Sequence, residues 1–524
     1  MSETEPQDCI VIGASIDGLV AATYLARAGR RVLVLEPSDG VSGAARTEEL
    51  WPGVRVDALL GVGALAPEIA SELGLARHGL VLVRRDGLTS LWPEGALCLP
   101  TEGALTVSGR IPYVPADIAQ ADGFARLLAN AAGVIGAVQR LTPPTTRPGE
   151  RAAAIDWLEL AKVGARLRGL GRREMLEVLR TLTMSIAELA NEWFAGDALK
   201  GALGALAVRN TRLAPFAGGT VLHLLHQLAL GDAVCRTTAR GGIGALNAAL
   251  ERAARAAGVR IERASGPVRL LVSDGCARGV VRVADGREYE ARQIVASCDA
   301  QRAFVELVDP CEFDPEFLRA LRQFRSAGSE ARVHLLLSEP PEFPHAPAGI
   351  GGTLVVAPTL RYLEDASDAA KYGEVPAAPF IEASVPTWLD PTLASRGRHV
   401  ISIAVHTLPR AANWGAIQEQ VADAAIDALA THSPNLQRTI VERVVLTPDS
   451  IEARYGLTGG HLHGGEFALD QWFLLRPIPG WNGYRTPIEG YYLCGASTHP
   501  ASATSGLSGR NAARVAQADV RGEF

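Results

Sequence analysis

The sequence predicts an α/β protein built from two interleaved domains. Its 524 residues exceed the usual size of one domain, and 48% of them are hydrophobic, which is enough for a large core. Near the N-terminus, "CIVIG" (residues 9–13) suits a buried parallel strand, residues 19–28 place apolar side chains at helical spacing, and "RRVLVLE" (residues 30–36) is a second apolar run. This order of strand, helix and strand is that of a βαβ unit, whose two strands lie parallel in one sheet.

The turn between the first strand and the helix carries most of a dinucleotide-binding fingerprint. The expected pattern is Gly-x-Gly-x-x-Gly, and the chain has Gly13, Ser15 and Gly18. In the general pattern the first glycine allows a tight turn, the second a close approach of the pyrophosphate, and the third close packing of helix on strand. Glu36 would accept hydrogen bonds from the ribose hydroxyls, which favours FAD or NAD over NADP. By analogy with strained glycine positions, Ser15 is expected to weaken binding by ~1–2 kcal/mol without abolishing it.

Charge and cysteine content exclude several classes of protein. The net charge of −6 argues against a nucleic-acid partner. Seven cysteines without a C-x-x-C pair indicate reduced thiols in a cytosolic protein and give no support for disulfide chemistry. The polar N-terminus does not resemble a secretory signal, and no apolar run is long enough to span a bilayer. We therefore expect a cytoplasmic protein that at most touches a membrane surface.

Two further stretches carry a resemblance to a known family. Residues 35–63 look like the second signature of the large FAD-binding oxidoreductases, with Ser42-Gly43 in place of a Gly-Gly pair. Residues 490–519, "GYYLCGASTHPASATSGLSGRNAARVAQAD", read as a strand, a small-residue loop and a helix that starts near Ser505. This stretch closely resembles the closing motif of phytoene-dehydrogenase-like flavoproteins, the branch of the amine-oxidase superfamily that includes carotenoid desaturases. The relatives usually read His-Pro-Gly-Gly-Gly, whereas Ala-Ser-Ala follows His499-Pro500 here.

The resemblance extends through nearly the whole chain and implies FAD as the cofactor. It looks closest to the members known as pyridine nucleotide-disulfide oxidoreductase domain-containing proteins. In such enzymes the closing loop and helix N-terminus stabilise negative charge on the reduced flavin, and Val268 matches the position whose backbone usually hydrogen-bonds adenine. The positions that the resemblance assigns to FAD are Gly13, Ser15, Gly18, Glu36, Ser42, Gly43, Val268, Gly495, Ala496, Ala503, Thr504, Ser505 and Gly506.

The same resemblance implies a discontinuous Rossmann-type FAD-binding domain with an interleaved α+β substrate domain. The FAD-binding domain is expected to use residues 1–80, 235–300 and 480–524. The substrate domain is expected to use residues 81–234 and 301–479, and to combine a helical portion with a strand portion.

The implied reaction is the dehydrogenation of a hydrophobic substrate, by desaturation or allylic oxidation, with hydride transfer to the flavin. An apolar tunnel would suit an isoprenoid such as a carotenoid precursor or a monoterpene. His461, His463, Glu466 and His499 are the candidate catalytic residues, because their loops lie near the flavin in the relatives; the alternative is that they tie down glycine-rich loops. His223 and His226, on a predicted helix, and the pair His461 and His463 each lack a nearby third ligand, so no metal site is predicted.

Two other functions stay open at this stage. Ser15, Ser42 and the segment 501–503 replace glycine together, and losses of ~1–2 kcal/mol at each would lower FAD affinity by roughly 10²–10⁴. The chain could then be a non-catalytic partner subunit of a related FAD-dependent dehydrogenase. An NAD-only dehydrogenase would leave the closing motif unexplained. We expect a hydrophobic small-molecule substrate, and a dimer formed with a second copy or with a related flavoprotein subunit.

Overall fold

The computed structural model describes residues 6–40, 43–60, 65–100, 105–112, 115–146, 154–231, 237–347, 350–410 and 413–521. Ser42, one of the predicted cofactor positions, lies outside the described residues. None of the helices in these ranges is both long enough and apolar enough to cross a lipid bilayer.

The strands and helices alternate along the first part of the chain and again towards its end. The strands, in chain order, are β1 (Gln7–Ile12), β2 (Val32–Leu35), β3 (Thr47–Trp51), β4 (Val54–Asp57), β5 (Leu82–Arg84), β6 (Leu88–Trp92), β7 (Gly95–Leu99), β8 (Thr106–Gly109), β9 (Thr237–Ala239), β10 (Arg260–Glu262), β11 (Val268–Ser273), β12 (Cys276–Arg282), β13 (Glu288–Ala296), β14 (Ala331–Leu337), β15 (Thr353–Val356), β16 (Ile381–Ser384), β17 (His399–Val405), β18 (Ile440–Leu446) and β19 (Tyr491–Leu493). The α-helices, in chain order, are α1 (Ile16–Arg27), α2 (Pro67–Leu73), α3 (Pro115–Gln139), α4 (Ala154–Gly169), α5 (Arg172–Thr181), α6 (Ile186–Trp193), α7 (Asp197–Val208), α8 (Thr220–Leu230), α9 (Gly244–Ala256), α10 (Pro315–Gln323), α11 (Leu360–Lys371), α12 (Pro386–Leu389), α13 (Gln418–Ala430), α14 (Leu436–Thr439), α15 (Pro448–Tyr455) and α16 (Leu507–Arg521).

The first sheet combines strands from both ends of the chain. Its parallel part has the order β10-β2-β1-β13-β19, and β11, β12 and β13 form an antiparallel meander on the same sheet. The strand β13 joins the two parts, because its first half pairs with β12 and its second half with β19. The predicted α/β fold with a Rossmann-type domain is confirmed. The exact domain boundaries stay a prediction.

One face of the second sheet is apolar, and the part of the other face that meets the second cavity is polar. Within the described ranges its order is β18-β14-β17-β16-β15-β6-β7-β8, antiparallel except for the β15–β6 pair. Since successive side chains of a strand point to opposite faces, Val333, Ile401 and Ile403 pack on one side in a core that includes residues of α13. Side chains on the other side are polar, among them Arg332, His334, Glu382, Ser384, Ser402 and His406.

The first and last helices of the described chain pack against each other. The Asp17 Oδ1 atom accepts a hydrogen bond from the Gly509 N–H at 3.0 Å, so a side chain of α1 caps the first turn of α16. Gly509 has no room for a side chain, because a Cβ atom there would lie 2.1 Å from the Asp17 carbonyl oxygen. Further along α16, the Ala516 carbonyl accepts a hydrogen bond from Gln293 Nε2 at 2.6 Å. The two ends of the chain therefore close one domain.

This packing predicts that Gly509→Ala destabilises the protein. The added methyl group would force α16 away from α1, and overpacking of this kind costs about 1–3 kcal/mol. We expect the midpoint temperature of thermal unfolding to fall by about 1–3 °C, because the unfolding entropy of a 524-residue chain is roughly 1.1 kcal/mol/K. The matched control is Gly164→Ala in α4, where an added Cβ meets no atom within 4 Å. Because alanine has the higher helix propensity, the control should unfold at an equal or higher temperature. A Gly509→Ala protein as stable as the control would contradict the described packing.

Candidate active site

A cavity of about 330 Å³ lies between the two ends of the chain, a volume typical of small-molecule sites. It opens at the carboxyl ends of β1, β2 and β13, which is where parallel sheets of this type bind ligands. We call it the first cavity. The residues that line it include Gly13, Ser15, Glu36, Gly43, Arg46, Ser297, Asp299, Arg302, Arg454, Gly495, Ala496 and Ala503.

The turn after β1 requires glycine at two of the three fingerprint positions. Gly13 has a φ of 94°, which favours glycine. A Cβ atom at Gly18 would lie 2.3 Å from the Gly13 carbonyl oxygen and 2.8 Å from Ser297 Oγ. Ser297 fixes this turn from β13, since its hydroxyl lies 2.9 Å from both the Ile12 and the Gly13 carbonyl oxygens. The close packing of helix and strand that the fingerprint predicts is therefore present here.

Ser15 acts as the N-cap of α1. Its backbone is extended, with φ −66° and ψ 170°, so the serine is not strained. Its Oγ atom accepts a hydrogen bond from the Gly18 N–H at 3.2 Å. The analogy with strained glycine positions therefore does not apply, because the Ser15 backbone is unstrained, and weaker binding of the cofactor stays a prediction.

Glu36 is buried at the end of β2, where it lines the first cavity. Its Oε2 atom accepts a hydrogen bond from the Ala14 N–H at 2.7 Å, and its Oε1 atom accepts from the N–H and the hydroxyl of Ser38 at 3.0 and 2.7 Å. This network holds an acceptor-only carboxylate at the position expected for ribose recognition.

The first cavity is also lined by three arginines that the sequence analysis did not identify. Arg46, Arg302 and Arg454 bring guanidinium groups to it from three distant parts of the chain. Arg46 also stacks over the Tyr455 ring, with 5.2 Å from its Cζ atom to the ring centroid. Guanidinium groups suit phosphate oxygens, and a buried carboxylate suits ribose hydroxyls, so this donor set fits the ADP part of a dinucleotide.

The loop before α16 closes the opposite side of the first cavity. Gly495 has a φ of 102°, and both Gly495 and Ala496 line the cavity. Ala501 keeps a left-handed backbone, with φ 71°, although it is not glycine. The Ser502 hydroxyl accepts hydrogen bonds from the N–H groups of Thr504 and Ser505 at 3.3 and 3.1 Å. A serine hydroxyl thus satisfies N–H groups at the entry to α16, as Ser15 does at the entry to α1.

The remaining predicted cofactor positions have mixed placements. Gly43 and Ala503 line the first cavity, and Thr504 lines a neighbouring cavity. Gly506, with φ 71°, leads into α16. Val268 is buried in β11 and does not line the first cavity, so its contact with adenine stays a prediction.

A second cavity of about 140 Å³ lies between the polar face of the second sheet, helix α8 and the two residues that follow α7, Arg209 and Asn210. The two cavities share a wall: along residues 461–465, His461 and His463 line the second cavity while Leu462 and Gly464 line the first. Polar and ionisable residues that line the second cavity include Asp57, Arg85, Arg209, Asn210, His223, His226, Arg332, His334, Glu382, His406, His461 and His463. No group of three or more His, Cys, Asp or Glu side chains able to hold a metal ion occurs in the described part of the chain.

Only two of the four predicted catalytic residues reach a cavity. His461 Nδ1 faces the N–H groups of His463 and Gly465 at 3.2 and 3.3 Å, and His463 Nε2 lies 3.2 Å from Asn210 Nδ2. Burial lowers the pKa of His463 to about 4 and that of His461 well below its ordinary value, so both rings are neutral at pH 7.

The other two predicted catalytic residues have structural contacts instead. Glu466 accepts a hydrogen bond from Arg325 Nε at 2.7 Å. His499 Nε2 lies 3.0 Å from the Val138 carbonyl oxygen, and burial lowers its pKa to about 4. Neither Glu466 nor His499 lines the first or the second cavity. These contacts match the alternative in which both residues tie down loops, and the geometry gives no support for a catalytic role.

Five charged residues form a buried network at the second cavity, which we call the ion network. Arg209 lies 3.2 Å from Glu382, His406 lies 3.6 Å from Glu382 and 3.3 Å from Glu330, and Arg332 pairs with Glu330. Burial alone would raise the pKa of Glu382, but Arg209 and His406 outweigh it and lower the pKa to about 2. Burial opposes the charge on His406, and the two carboxylates outweigh it and raise the pKa of that imidazole.

The guanidinium of Arg476 holds the shared wall in place. It is 1% exposed and donates hydrogen bonds to backbone carbonyl oxygens at 2.8–3.3 Å. The accepting carbonyls belong to His463, Gly465, Glu466, Gln471 and Ala496. Burial lowers the pKa of Arg476 to about 9, so the group is still charged at pH 7. One side chain thus connects the segment between the cavities to the loop before α16.

Residues 17–516 match the family described as flavin-containing amine oxidoreductases. The chain belongs to this family. It is an FAD-dependent oxidoreductase, in agreement with the donor set of the first cavity, and the predicted family and cofactor are confirmed.

Named relatives cover nearly all of the chain. It is 31% identical to "Pyridine nucleotide-disulfide oxidoreductase domain-containing protein 2" of Rattus norvegicus, over 98% of this chain and 94% of the relative. It is 25% identical to a limonene dehydrogenase subunit of Castellaniella defragrans, over 99% and 96%. The solved structure of cyclohexylamine oxidase from Brevibacterium oxydans superposes with a TM-score of 0.60 at 16% identity, over 98% of this chain and all of that one, which shows a shared fold.

Replacing Arg476 by lysine tests the shared wall. Lysine keeps the charge but cannot reach the same set of carbonyls, and each buried acceptor left without a donor costs about 1–3 kcal/mol. We expect Arg476→Lys to lower the stability of the protein by about 3 kcal/mol or more, measured as a lower midpoint temperature. The control is Arg443→Lys, since Arg443 pairs with Glu419 and Asp423 at the surface, where the expected loss is below about 1 kcal/mol. An equal fall in midpoint temperature for the two variants would show that the buried guanidinium does not hold the shared wall in place.

Because the carboxyl group of Asp17 is buried, we expect the stability of the folded protein to depend on pH. Burial raises its pKa from 3.8 to about 7, although the Gly509 N–H partly offsets the shift. Between pH 4 and pH 7 the unfolded chain has lost this proton while the folded protein keeps it, so Asp17 destabilises the fold increasingly as pH rises. Asparagine keeps an acceptor for Gly509 without the charge. Asp17→Asn should therefore match the wild type at pH 4 and unfold at a higher temperature at pH 8.

The control for this pH series is Asp285→Asn. Asp285 is exposed, and its hydrogen bond with Arg282 lowers the pKa to about 2. Because the pKa of Asp285 is lowered whereas that of Asp17 is raised, Asp285→Asn should not raise the midpoint temperature of unfolding at pH 8. A gain for Asp17→Asn that is the same at pH 4 and pH 8 would contradict a raised pKa for Asp17.

Proposed function

We propose that the protein is a dehydrogenase that oxidises a substrate held in the second cavity, next to the FAD bound in the first. The observation that carries this proposal is the shared wall of residues 461–465, whose alternate residues face the two cavities. An electron donor in one cavity and an acceptor in the other would be separated by a single layer of protein backbone.

The side chains around the cavities would bind and orient rather than react. FAD, when bound, accepts the hydride that leaves a substrate C–H bond. Glu36 would hold the ribose hydroxyls, and Arg46, Arg302 and Arg454 would neutralise the pyrophosphate. His461 and His463, which are neutral because of their burial, can exchange hydrogen bonds with a substrate without introducing charge. The buried walls of the second cavity exclude bulk water from the reacting bond.

One set of observations favours a second candidate function, that of a non-catalytic partner subunit. The hydroxyls of Ser15 and Ser502 already accept hydrogen bonds from N–H groups at the entries to α1 and α16. FAD would have to compete with both hydroxyls. One relative is named as a subunit of a dehydrogenase, which supports a complex with a related chain. In this candidate the first cavity would hold FAD weakly and the paired subunit would carry the reaction.

The name of the same relative also supports an apolar isoprenoid substrate, as the resemblance implies. The lining of the second cavity mixes apolar side chains, such as Leu60, Leu230 and Phe467, with ionisable ones, whereas the tunnel predicted from the sequence would be apolar throughout. The strand alternation in the second sheet instead brings arginine, histidine and glutamate side chains to the cavity. We therefore propose dehydrogenation as the reaction class without an isoprenoid as the substrate.

FAD affinity separates the two candidate functions. We expect the purified protein to be yellow and to carry about one FAD per chain. Ser15→Gly should tighten FAD binding about tenfold, since it frees the Gly18 N–H for a phosphate, at a cost of only a few tenths of a kcal/mol in helix capping. The measurement is a fluorescence titration of the apoprotein with FAD. The control is Ser273→Gly, at the exposed last residue of β11, which should leave the affinity unchanged.

A colourless protein that binds no added FAD, with or without Ser15→Gly, would reject the dehydrogenase and favour the partner subunit. If FAD is bound, anaerobic mixing with candidate substrates tests the reaction directly. Loss of the visible absorption of the flavin on mixing is the expected result for a dehydrogenase.

A further inference from the structure

The polar face of the second sheet is buried, and a buried polar face needs a partner. Arg332 lies on β14, Glu382 on β16, and Ser402 and His406 on or next to β17, all towards the second cavity. Leaving polar groups away from water without partners costs several kcal/mol. Among the described residues at this cavity, the donor Arg332 Nε and the acceptor Asn210 Oδ1 are buried without a hydrogen-bond partner, and only the first belongs to a charged group. A donor of this kind at the cavity wall is suited to an acceptor on a ligand.

The charges around the second cavity do not cancel. The arginines are Arg85, Arg209 and Arg332, and the carboxylates are Asp57, Glu330 and Glu382. His406 adds a fourth cation, because its two ring nitrogens each face a carboxylate, Glu330 at 3.3 Å and Glu382 at 3.6 Å. The other histidines in the lining are neutral, because burial lowers the pKa of each: His223, His226, His334, His461 and His463. The described residues therefore leave an excess of about one positive charge in a buried space. Arg476, whose guanidinium lies behind the shared wall, adds to it.

The size of the second cavity limits what it can hold. Its volume is about 140 Å³. An engineered protein cavity of roughly 150 Å³ holds one benzene molecule. A long polyene or a cyclic terpene is larger than this space, whereas a short organic acid fits it.

We infer that the ligand of the second cavity is a small carboxylate, bound through Arg332 and balanced by the positive excess of the ion network. The role of this carboxylate as a substrate rests on the proposed function. Its binding does not, because charge, volume and the unpartnered Arg332 donor are properties of the cavity alone. Guanidinium and carboxylate groups form short, charge-assisted hydrogen bonds, which supply both orientation and affinity.

The test uses the full-length protein with its FAD and the probe butanoate. Its matched control is butanamide, which has nearly the same shape but no charge, and limonene serves as an apolar probe. Binding is measured by the rise in midpoint temperature and by calorimetry, at constant ionic strength. Butanoate should bind at least about tenfold more tightly than butanamide, and limonene should give no shift.

Two substitutions of opposite sign distinguish charge recognition from damage to the fold. Arg332→Gln should weaken butanoate binding about tenfold or more, and Arg332→Lys should keep part of it. Glu330→Gln, which removes a carboxylate behind the cavity, should strengthen butanoate binding and leave butanamide unchanged. Circular dichroism and FAD content show that each variant is folded.

Butanamide or limonene binding as tightly as butanoate would overturn the inference. Equal weakening of butanoate by Arg332→Gln and Glu330→Gln would also overturn it, because a charge effect must change sign between the two. The inference is supported if Arg332→Gln weakens and Glu330→Gln strengthens butanoate binding, even if no compound reduces the flavin. In that case only the proposed reaction fails.

Discussion

The buried guanidinium of Arg476 holds in place the segment that separates the two cavities. Burying a charge without a carboxylate partner is costly, and the fold offsets this cost with backbone carbonyls from two segments that have little regular secondary structure. The planar group bridges residues 463–471 and the loop around Ala496, so neither segment can shift without leaving donors and acceptors unpaired. This constraint holds His461 and His463 on the side of the wall that faces the second cavity.

Features that depend on neighbouring residues could be predicted from the sequence. Gly13, Gly18 and Glu36 lie within one βαβ unit, where strand, turn and helix fix their relative positions. The family followed from the closing stretch of the chain in the same way. Ser15 lines the first cavity as predicted, but its role as the N-cap of α1 was not foreseen, because the fingerprint describes the backbone and says nothing of a hydroxyl that caps the helix.

Features that depend on distant parts of the chain could not be predicted. Arg302 and Arg454 reach the first cavity only because separate segments converge there. The polar face of the second sheet did leave a signal, since "ARVH" in β14 alternates apolar and polar residues, and "SIAVH" in and after β17 places Ser402 and His406 an even number of positions apart. That alternation does not reveal whether the polar face meets solvent or an enclosed cavity. Glu466 and His499 were placed near the flavin by resemblance, but their hydrogen bonds support loops instead.

The contribution of the last strand and helix to the first sheet has a consequence for biosynthesis. On the ribosome, β1 and β2 emerge early, but β19 (Tyr491–Leu493) and α16 (Leu507–Arg521) leave the exit tunnel only after the rest of the described chain. Until then, the nascent polypeptide exposes the apolar edge of β13 and the face of α1 that α16 will cover, and such surfaces favour aggregation. The nucleotide site thus becomes complete only after β19 and α16 have been synthesised, when the inserted sheet has had time to form.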